Sequence, residues 1–185
     1  MLENEQAIIQ RVKQGDHQAM EILFRTHLDA AIRLAYLITR DWTSAEDAVQ
    51  EGFIQAFRSI NNFKDGLPFK PWFTKIVVNK AKRIKEKFGT ERQIPASNYL
   101  IINDPASPEE ISLDKEKEQA LYNAINQLDE KHRLPIILKY LNELSEAETA
   151  QVLDLPVSTV KSRLYVARQR LKKHLIADQG GVSND

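Results

Sequence analysis

Between Ser158 and Lys173 the chain carries Lys161, Arg163, Arg168, Arg170, Lys172 and Lys173 and not one acidic side chain. Ammonium and guanidinium groups gathered this way do one kind of chemistry well: they offset the charge of a phosphate backbone. Ser158, Thr159, Ser162 and Arg163 lie among them, short polar or forked side chains of the type that reaches base edges in a DNA major groove. Val166 falls on the same side. A second basic stretch, Phe63 to Phe88, offers Lys64, Lys70, Lys75, Asn79, Lys82 and Arg83 interleaved with Phe63, Phe69 and Trp72. Lysines that follow a backbone and aromatics that receive unstacked bases are what a single-stranded nucleic acid requires. The same spacing lets Trp72 and Phe73 serve as core, and for those two core packing is the stronger reading of the pattern. A third group has the opposite sign. Asp47, Gln50, Glu51, Ile54 and Arg58 recur at i, i+3, i+4, i+7 and i+11, an acidic helical stripe with one apolar anchor, suited to docking on a basic partner helix.

Catalytic chemistry is not written here. His17, His27, His132 and His174 are scattered, and no HExxH, GxSxG or phosphate-binding glycine loop occurs. Carboxylates fall on expected solvent faces or capping positions, so no enzymatic role is expected. With no cysteine, neither a disulfide framework nor a thiolate metal site can form, and neither metal nor cofactor is expected.

The 26 basic and 26 acidic residues cancel, which taken as a sum argues against nucleic-acid binding. Their distribution argues for it: Lys64 to Arg92 and Lys161 to Lys173 are basic, Asp41 to Glu51 and Asp104 to Glu118 acidic. Such a chain binds DNA weakly alone, because its acidic portions oppose approach, and well once a partner covers them. No apolar run is long enough to span a membrane, and MLENEQAIIQ lacks signal-peptide character; a cytoplasmic protein without membrane insertion is expected.

The elements that must position these groups all read as helices. Residues 3–14 form one, with Ala7, Ile8, Ile9 and Val12 inward and Gly15 ending it. Asp16 caps a second that runs to about Arg40, with Ala19, Ile22, Leu23, Leu34 and Leu37–Ile38 apolar. Thr43 and Glu46 suggest a capping box for a third, whose inner face is Ala45, Ala48, Val49, Gly52, Phe53, Ala56, Phe57 and Ile60. After a loop marked by Asp65-Gly66 and Pro68, Pro71 suits the first turn of a fourth, with Phe73, Ile76–Val77 and Ile84 inward. Periodicity fails from Gly89 to Ala106, a linker. Ser107-Pro108 opens a helix running to about Gln127, with Ala120, Leu121, Ala124 and Ile125 apolar. Another spans Asp129 to Leu141, with Pro135 either kinking it or marking its true first turn. Ser145 and Glu148 form a capping box for the next, apolar through Ala147, Ala150 and Val152–Leu153; Asp154-Leu155-Pro156 breaks it, and Ser158 suits the N-cap of the last. In that last helix Val160, Leu164, Ala167, Leu171 and Leu175 form the buried stripe. Two helices with a tight turn, the second basic on one side, make a helix-turn-helix.

In this order the residues resemble an ECF-type (extracytoplasmic function) sigma factor of bacterial RNA polymerase. The stretch AEDAVQEGFIQAF (45–57) is similar to the family's polymerase-binding helix, D-x-x-Q-E-x-F, met by Asp47, Gln50, Glu51 and Phe53. PWFTKIVVNKAKR (71–83) is similar to the segment that captures and melts the −10 promoter element. Residues 128–171 are similar to the C-terminal domain that reads the −35 element. Departures occur at Arg83, Asp154, Ser158 and Val166, where an acid, a turn glycine, a glycine and an arginine are common.

The resemblance implies an all-α fold of two small helical domains. Residues 1–88 would be the σ2-like unit, 89–107 a flexible linker, 108–178 the σ4-like helix-turn-helix unit and 179–185 a mobile tail. It implies a function, promoter-specific transcription initiation with core RNA polymerase, and three sets of working residues. Asp47, Gln50, Glu51 and Ile54 would meet the clamp of the largest polymerase subunit. Lys64, Lys70, Trp72, Lys75, Asn79, Lys82 and Arg83 would hold the opened −10 strand. Ser158, Thr159, Lys161, Ser162, Arg163, Val166 and Arg170 would hold the −35 duplex, with the σ4-like unit on the polymerase flap. Many members are held inactive by an anti-sigma factor, which makes such an inhibitor a candidate partner. The rival is a stand-alone helix-turn-helix transcriptional regulator, which would need neither the acidic stripe nor the aromatic-basic loop.

Overall fold

The computed structural model describes residues 4–88 and 120–180, and all regular structure among them is helical. In chain order the helices are α1 (Glu5–Lys13), α2 (His17–Thr39), α3 (Trp42–Ser59), α4 (Phe69–Phe88), α5 (120–127), α6 (Glu130–Ile136), α7 (Glu146–Leu153) and α8 (Val157–Gly180). The expected linker and the expected helix start at Ser107-Pro108 lie outside the described residues, as do residues 181–185. Residues 179 and 180, expected in the tail, continue α8.

Helices α2, α3 and α4 pack on one another around Leu23, Leu34, Ala45, Val49, Phe53, Phe73 and Val77. Asp16 caps α2 as expected, accepting from the amides of Gln18 and Ala19. The start of α3 differs: the cap is Asp41, whose buried carboxylate accepts from the backbone N–H and hydroxyl of Ser44 at 2.8 and 2.6 Å. A carboxylate is a stronger acceptor for helix-end amides than the Thr43 hydroxyl. Glu46 instead accepts from the indole N–H of Trp42 at 2.7 Å. Ala7 and Ile22, read as inward, are exposed. Gly52 lets α3 approach α4 closely, since a Cβ there would stand 3.3 Å from the Val77 side chain. Helix α1 fastens the loop before α4: Lys13 donates to the Phe63 carbonyl and to Asp65, and the Gln6 amide both donates to Leu67 and accepts from Gly66.

His27 lies against α4, its ring 5.1 Å from Phe69 and 6.0 Å from Phe73, with Nε2 3.4 Å from a Glu5 carboxylate oxygen. Burial pushes its pKa below the ordinary 6.5 despite the pull of Glu5, and Lys70 adds to the depression. The native state therefore favours the neutral ring, while the unfolded chain takes up a proton near the ordinary value. This contribution to stability is complete above a pH of about 6.5 and shrinks as pH falls below it. In urea titrations the unfolding midpoint is expected to drop between about pH 7.5 and about pH 5.5 by more than that of a His27→Leu variant. Equal drops would remove the histidine from the account.

In the C-terminal part Pro135 stands inside α6, and the helix continues as a wider π turn over Ile137–Leu141. Proline donates no amide and crowds the preceding turn; the wider winding that follows ends with Asn142 N–H bonding back to the Ile137 carbonyl at 2.9 Å. This decides between the two readings of Pro135: it sits mid-helix. The capping box of α7 forms as expected, Ser145 and Glu148 satisfying each other's amides, and Asp154 ends that helix in a left-handed conformation. Helix α8 starts one residue before the expected cap. The Pro156 carbonyl receives the first amides, from Thr159 and Val160, so Ser158 is in the first turn and not the cap. Ala147, expected to be inward, is exposed. Helix α7 packs on α4, so the C-terminal unit sits against the N-terminal one.

Candidate nucleic-acid interface

Helix α8 owes its orientation to one apolar edge. Val160, Leu164 and Ala167 are fully buried against α6 and α7, which sends Ser158, Lys161 and Ser162 outward. Thr159, Arg163 and Val166 are half-buried on the flank. The Ser162 hydroxyl donates to the Thr159 carbonyl at 2.9 Å. Arg170 stands apart from this group: its guanidinium donates to Asp129 at 3.1 Å and lies 3.4 Å from the His132 ring. Asp129 also caps α6 and meets the His132 ring. Desolvation raises the Asp129 pKa, but the bonds from His132 and Arg170 outweigh it and leave the carboxyl below its usual value. Arg170 thus ties α8 to α6. Tyr165, absent from the expected set, is 59% exposed on the same side as Ser158 and Ser162. An aromatic opposite the buried stripe was the signal available for it.

Helix α4 is packed on two sides, by α2 and α3 and by α7. Of the expected aromatics, Phe63 and Phe69 are buried, with ring centroids 5.9 Å apart. The half-buried Trp72 leans on both, at 5.1 and 5.5 Å. Neither phenylalanine is free to stack on a base, because each is buried against neighbouring rings, Phe69 against those of His27 and Phe73 as well. Lys64 is exposed in the loop fastened by α1; Asn79 and Arg83 are exposed on α4; Lys70, Lys75 and Lys82 are half-buried. Lys70 and Lys75 are engaged with carboxylates of the C-terminal unit, Glu143 at 3.4 Å and Asp154 at 2.5 Å. Lys85, farther along α4, pairs with Glu130 at 2.9 Å. Burial pushes the Glu130 carboxyl up, but Lys85 and Lys82 outweigh it and hold it below its usual value.

Asp47, Gln50, Glu51 and Ile54 emerge together on the outer face of α3, Ile54 45% exposed. Glu51 receives Lys80 of α4 at 3.0 Å. The three expected sets therefore occupy three helices, with Lys64 in the loop before α4, and two of them, on α3 and α4, are joined by direct packing. Among the described residues no group of three or more His, Cys, Asp or Glu side chains could hold a metal ion, and no helix is long and apolar enough to cross a membrane.

Comparison with known proteins adds the following. Residues 23–87 match the family model of sigma-70 region 2, and residues 118–171 that of sigma-70, region 4. The chain is 33% identical over 184 residues to the ECF RNA polymerase sigma-E factor of Haemophilus influenzae, covering 92% of this chain and 95% of that protein. It is 30% identical over 176 residues to the ECF RNA polymerase sigma factor SigW of Bacillus subtilis, covering 90% and 94%. Among solved structures it resembles the sigma factor RpoE in complex with the anti-sigma factor NepR from Bartonella quintana, with a TM-score of 0.66 and 27% identity over 85% of this chain and 97% of that one. The fold also matches that of CnrH in complex with the cytosolic domain of CnrY, with a TM-score of 0.71 and 24% identity over 94% and 98%.

Proposed function

The chain belongs to the ECF-type RNA polymerase sigma factors, and on that footing we propose how its surfaces divide the work of initiation. A sigma factor combines with core RNA polymerase and directs it to particular promoters; catalysis stays with the polymerase. In this chain Asp47, Gln50, Glu51 and Ile54 meet the clamp of the largest subunit. Lys64, Lys70, Trp72, Lys75, Asn79, Lys82 and Arg83 follow the opened −10 strand. Ser158, Thr159, Lys161, Ser162, Arg163 and Val166 enter the −35 major groove while the unit around α6–α8 rests on the flap. Arg170 belongs to this set through its hold on Asp129, which steadies α8. Residues 1–88 and 108–178 are the two working units, 89–107 joins them and 179–185 is a tail. The protein acts in the cytoplasm, and an anti-sigma factor is a candidate partner, as NepR is for RpoE in that complex.

The observation that carries this reading is the outward stripe on α3, acids around an exposed isoleucine, in the same chain as a basic helix-turn-helix. A DNA-binding regulator working alone has no use for that stripe. Run-off transcription with core polymerase on genomic fragments tests it, together with gel shifts of duplex DNA with and without core. Promoter-specific transcripts are expected only when both proteins are present. Tight specific DNA binding without polymerase, and no transcripts with it, would favour the stand-alone regulator.

Arg163 gives a finer test. Its replacement by alanine is expected to weaken use of the −35 element by ~1–3 kcal/mol if its guanidinium reaches a base edge. The check is transcription from a promoter with an intact −35 element against one with that element mutated. The base-contact role fails if the substitution harms both equally.

A further inference from the structure

Lys80 belongs to none of the three sets, yet it stands between two of them. On α4 it follows Asn79 by one residue, about 100° round the helix, which turns it from the outer face toward α3. Only 20% of its side chain is exposed, and its ammonium donates to Glu51 Oε2 at 3.0 Å. The pair is not what fastens the two helices. Phe53 and Phe73 meet with ring centroids 4.4 Å apart, and Gly52 lies close against Val77; a half-exposed ion pair adds little to such packing.

What Lys80 does alter is the field on the outer side of α3. Asp47 and Glu51 are one turn apart there, and two carboxylates at that spacing reinforce each other's attraction for a cation. Among the described residues Asp47 enters no ion pair, whereas Glu51 has an ammonium beside it. The second Glu51 oxygen accepts from no described residue, so a partner's cation can bind there with Lys80 still in place. Such a cation would stand about two hydrogen bonds from the ammonium, ~6 Å. That is inside the screening length of ~8–10 Å at ordinary salt, and the covered stem leaves the ammonium little room to withdraw.

We propose that Lys80 sets the strength of polymerase docking: it is an internal cation that cancels part of the Glu51 charge and weakens the chain's hold on a basic surface of core. This rests on the assignment of Asp47, Gln50, Glu51 and Ile54 to the polymerase. Neither the apolar anchor nor the shape of the face depends on it, only the charge that an approaching basic surface meets. A charge at the rim of an interface acts mainly on the association rate and its salt dependence. The docking face thereby keeps both carboxylates as hydrogen-bond acceptors while presenting less net charge than they carry, and the complex with core forms more slowly than the acidic stripe alone would allow.

Lys80→Met, which preserves the covered stem and removes the charge, tests this in the full-length chain. Binding to core polymerase is followed by fluorescence anisotropy of the labelled chain, rapidly mixed for the rate and titrated for the affinity. At about 0.05 M salt the variant is expected to bind about threefold to tenfold tighter, with faster association. The gain should shrink as salt rises to about 0.5 M and the screening length falls below the ~6 Å separation. Lys80→Arg, which restores a cation, should return the affinity to that of the unsubstituted chain. Lys87→Met removes the same charge from an exposed position two turns farther along α4, ~10 Å away, and should change little. Unchanged or weakened affinity in Lys80→Met, a gain that ignores salt, or an equal gain from Lys87→Met would each overturn the role of Lys80. Thermal melting by circular dichroism verifies folding, and Lys80→Gln, with a polar tip, takes the place of the methionine variant if that one melts early. Failure of the unsubstituted chain to bind core would instead bring down the docking reading itself, a result distinct from the others.

Discussion

Reversing both charges of the outer α3 face, Asp47→Lys with Glu51→Lys, is expected to abolish transcription and to weaken binding to core polymerase by about 100-fold or more, as loss of charge pairs at an interface does. Both side chains point away from the core formed by Ala45, Ala48, Val49, Gly52, Phe53 and Ala56, so the fold should survive. One internal cost is identifiable. Glu51 holds Lys80 at 3.0 Å with about half of its side chain exposed, and a pair of that kind is worth ~1 kcal/mol or less. Asp47→Lys alone leaves that pair intact and serves as the control. Pull-down with core polymerase, paired with thermal melting by circular dichroism, is the measurement. A double variant that melts normally and still co-purifies with core would remove α3 from the polymerase contact.

The second large effect falls on stability. Phe69→Ala should cost ~3–5 kcal/mol in urea unfolding, the usual range for emptying a buried aromatic site, and domains of this size have only ~5–15 kcal/mol in total. Phe69 has no exposed surface, and its ring lies 5.1 to 5.9 Å from those of His27, Phe63, Trp72 and Phe73. It holds the first turn of α4 onto α2, and α1 braces the loop leading into it. Any loss of DNA binding should match the unfolded fraction. If the variant keeps its stability yet no longer captures single-stranded DNA, the ring is a stacking platform and the packing argument is wrong.

That contrast shows where sequence reading reaches its limit. Long helical periodicities were legible: the inner face of α3 and the stripe Val160, Leu164 and Ala167 are buried where spacing puts them. Polarity alone could not sort the aromatics between 63 and 73, since a phenylalanine beside lysines suits a core edge and a base equally well. Packing of α1 under the loop decides it, and α1 is distant in sequence. Caps failed where two acceptors competed, as at Asp41 against Thr43, because propensity ranks residues singly while geometry selects one. The outward set on α8 followed from the buried stripe, except at Arg170. Its partner Asp129 lies 41 residues away, and no local pattern announces such a pair. Engagement of Lys70 and Lys75 was equally hidden, for it depends on how one unit lies on the other.

The close approach at Gly52 carries a mechanical consequence. A Cβ there would crowd the Val77 side chain at 3.3 Å, so the two surfaces to which different tasks are proposed above are mounted back to back on closely packed helices. Their offset is then close to one interhelical distance. Under the proposed division of work, seating the α3 surface on polymerase would deliver the α4 surface in register, so one docking event would align both.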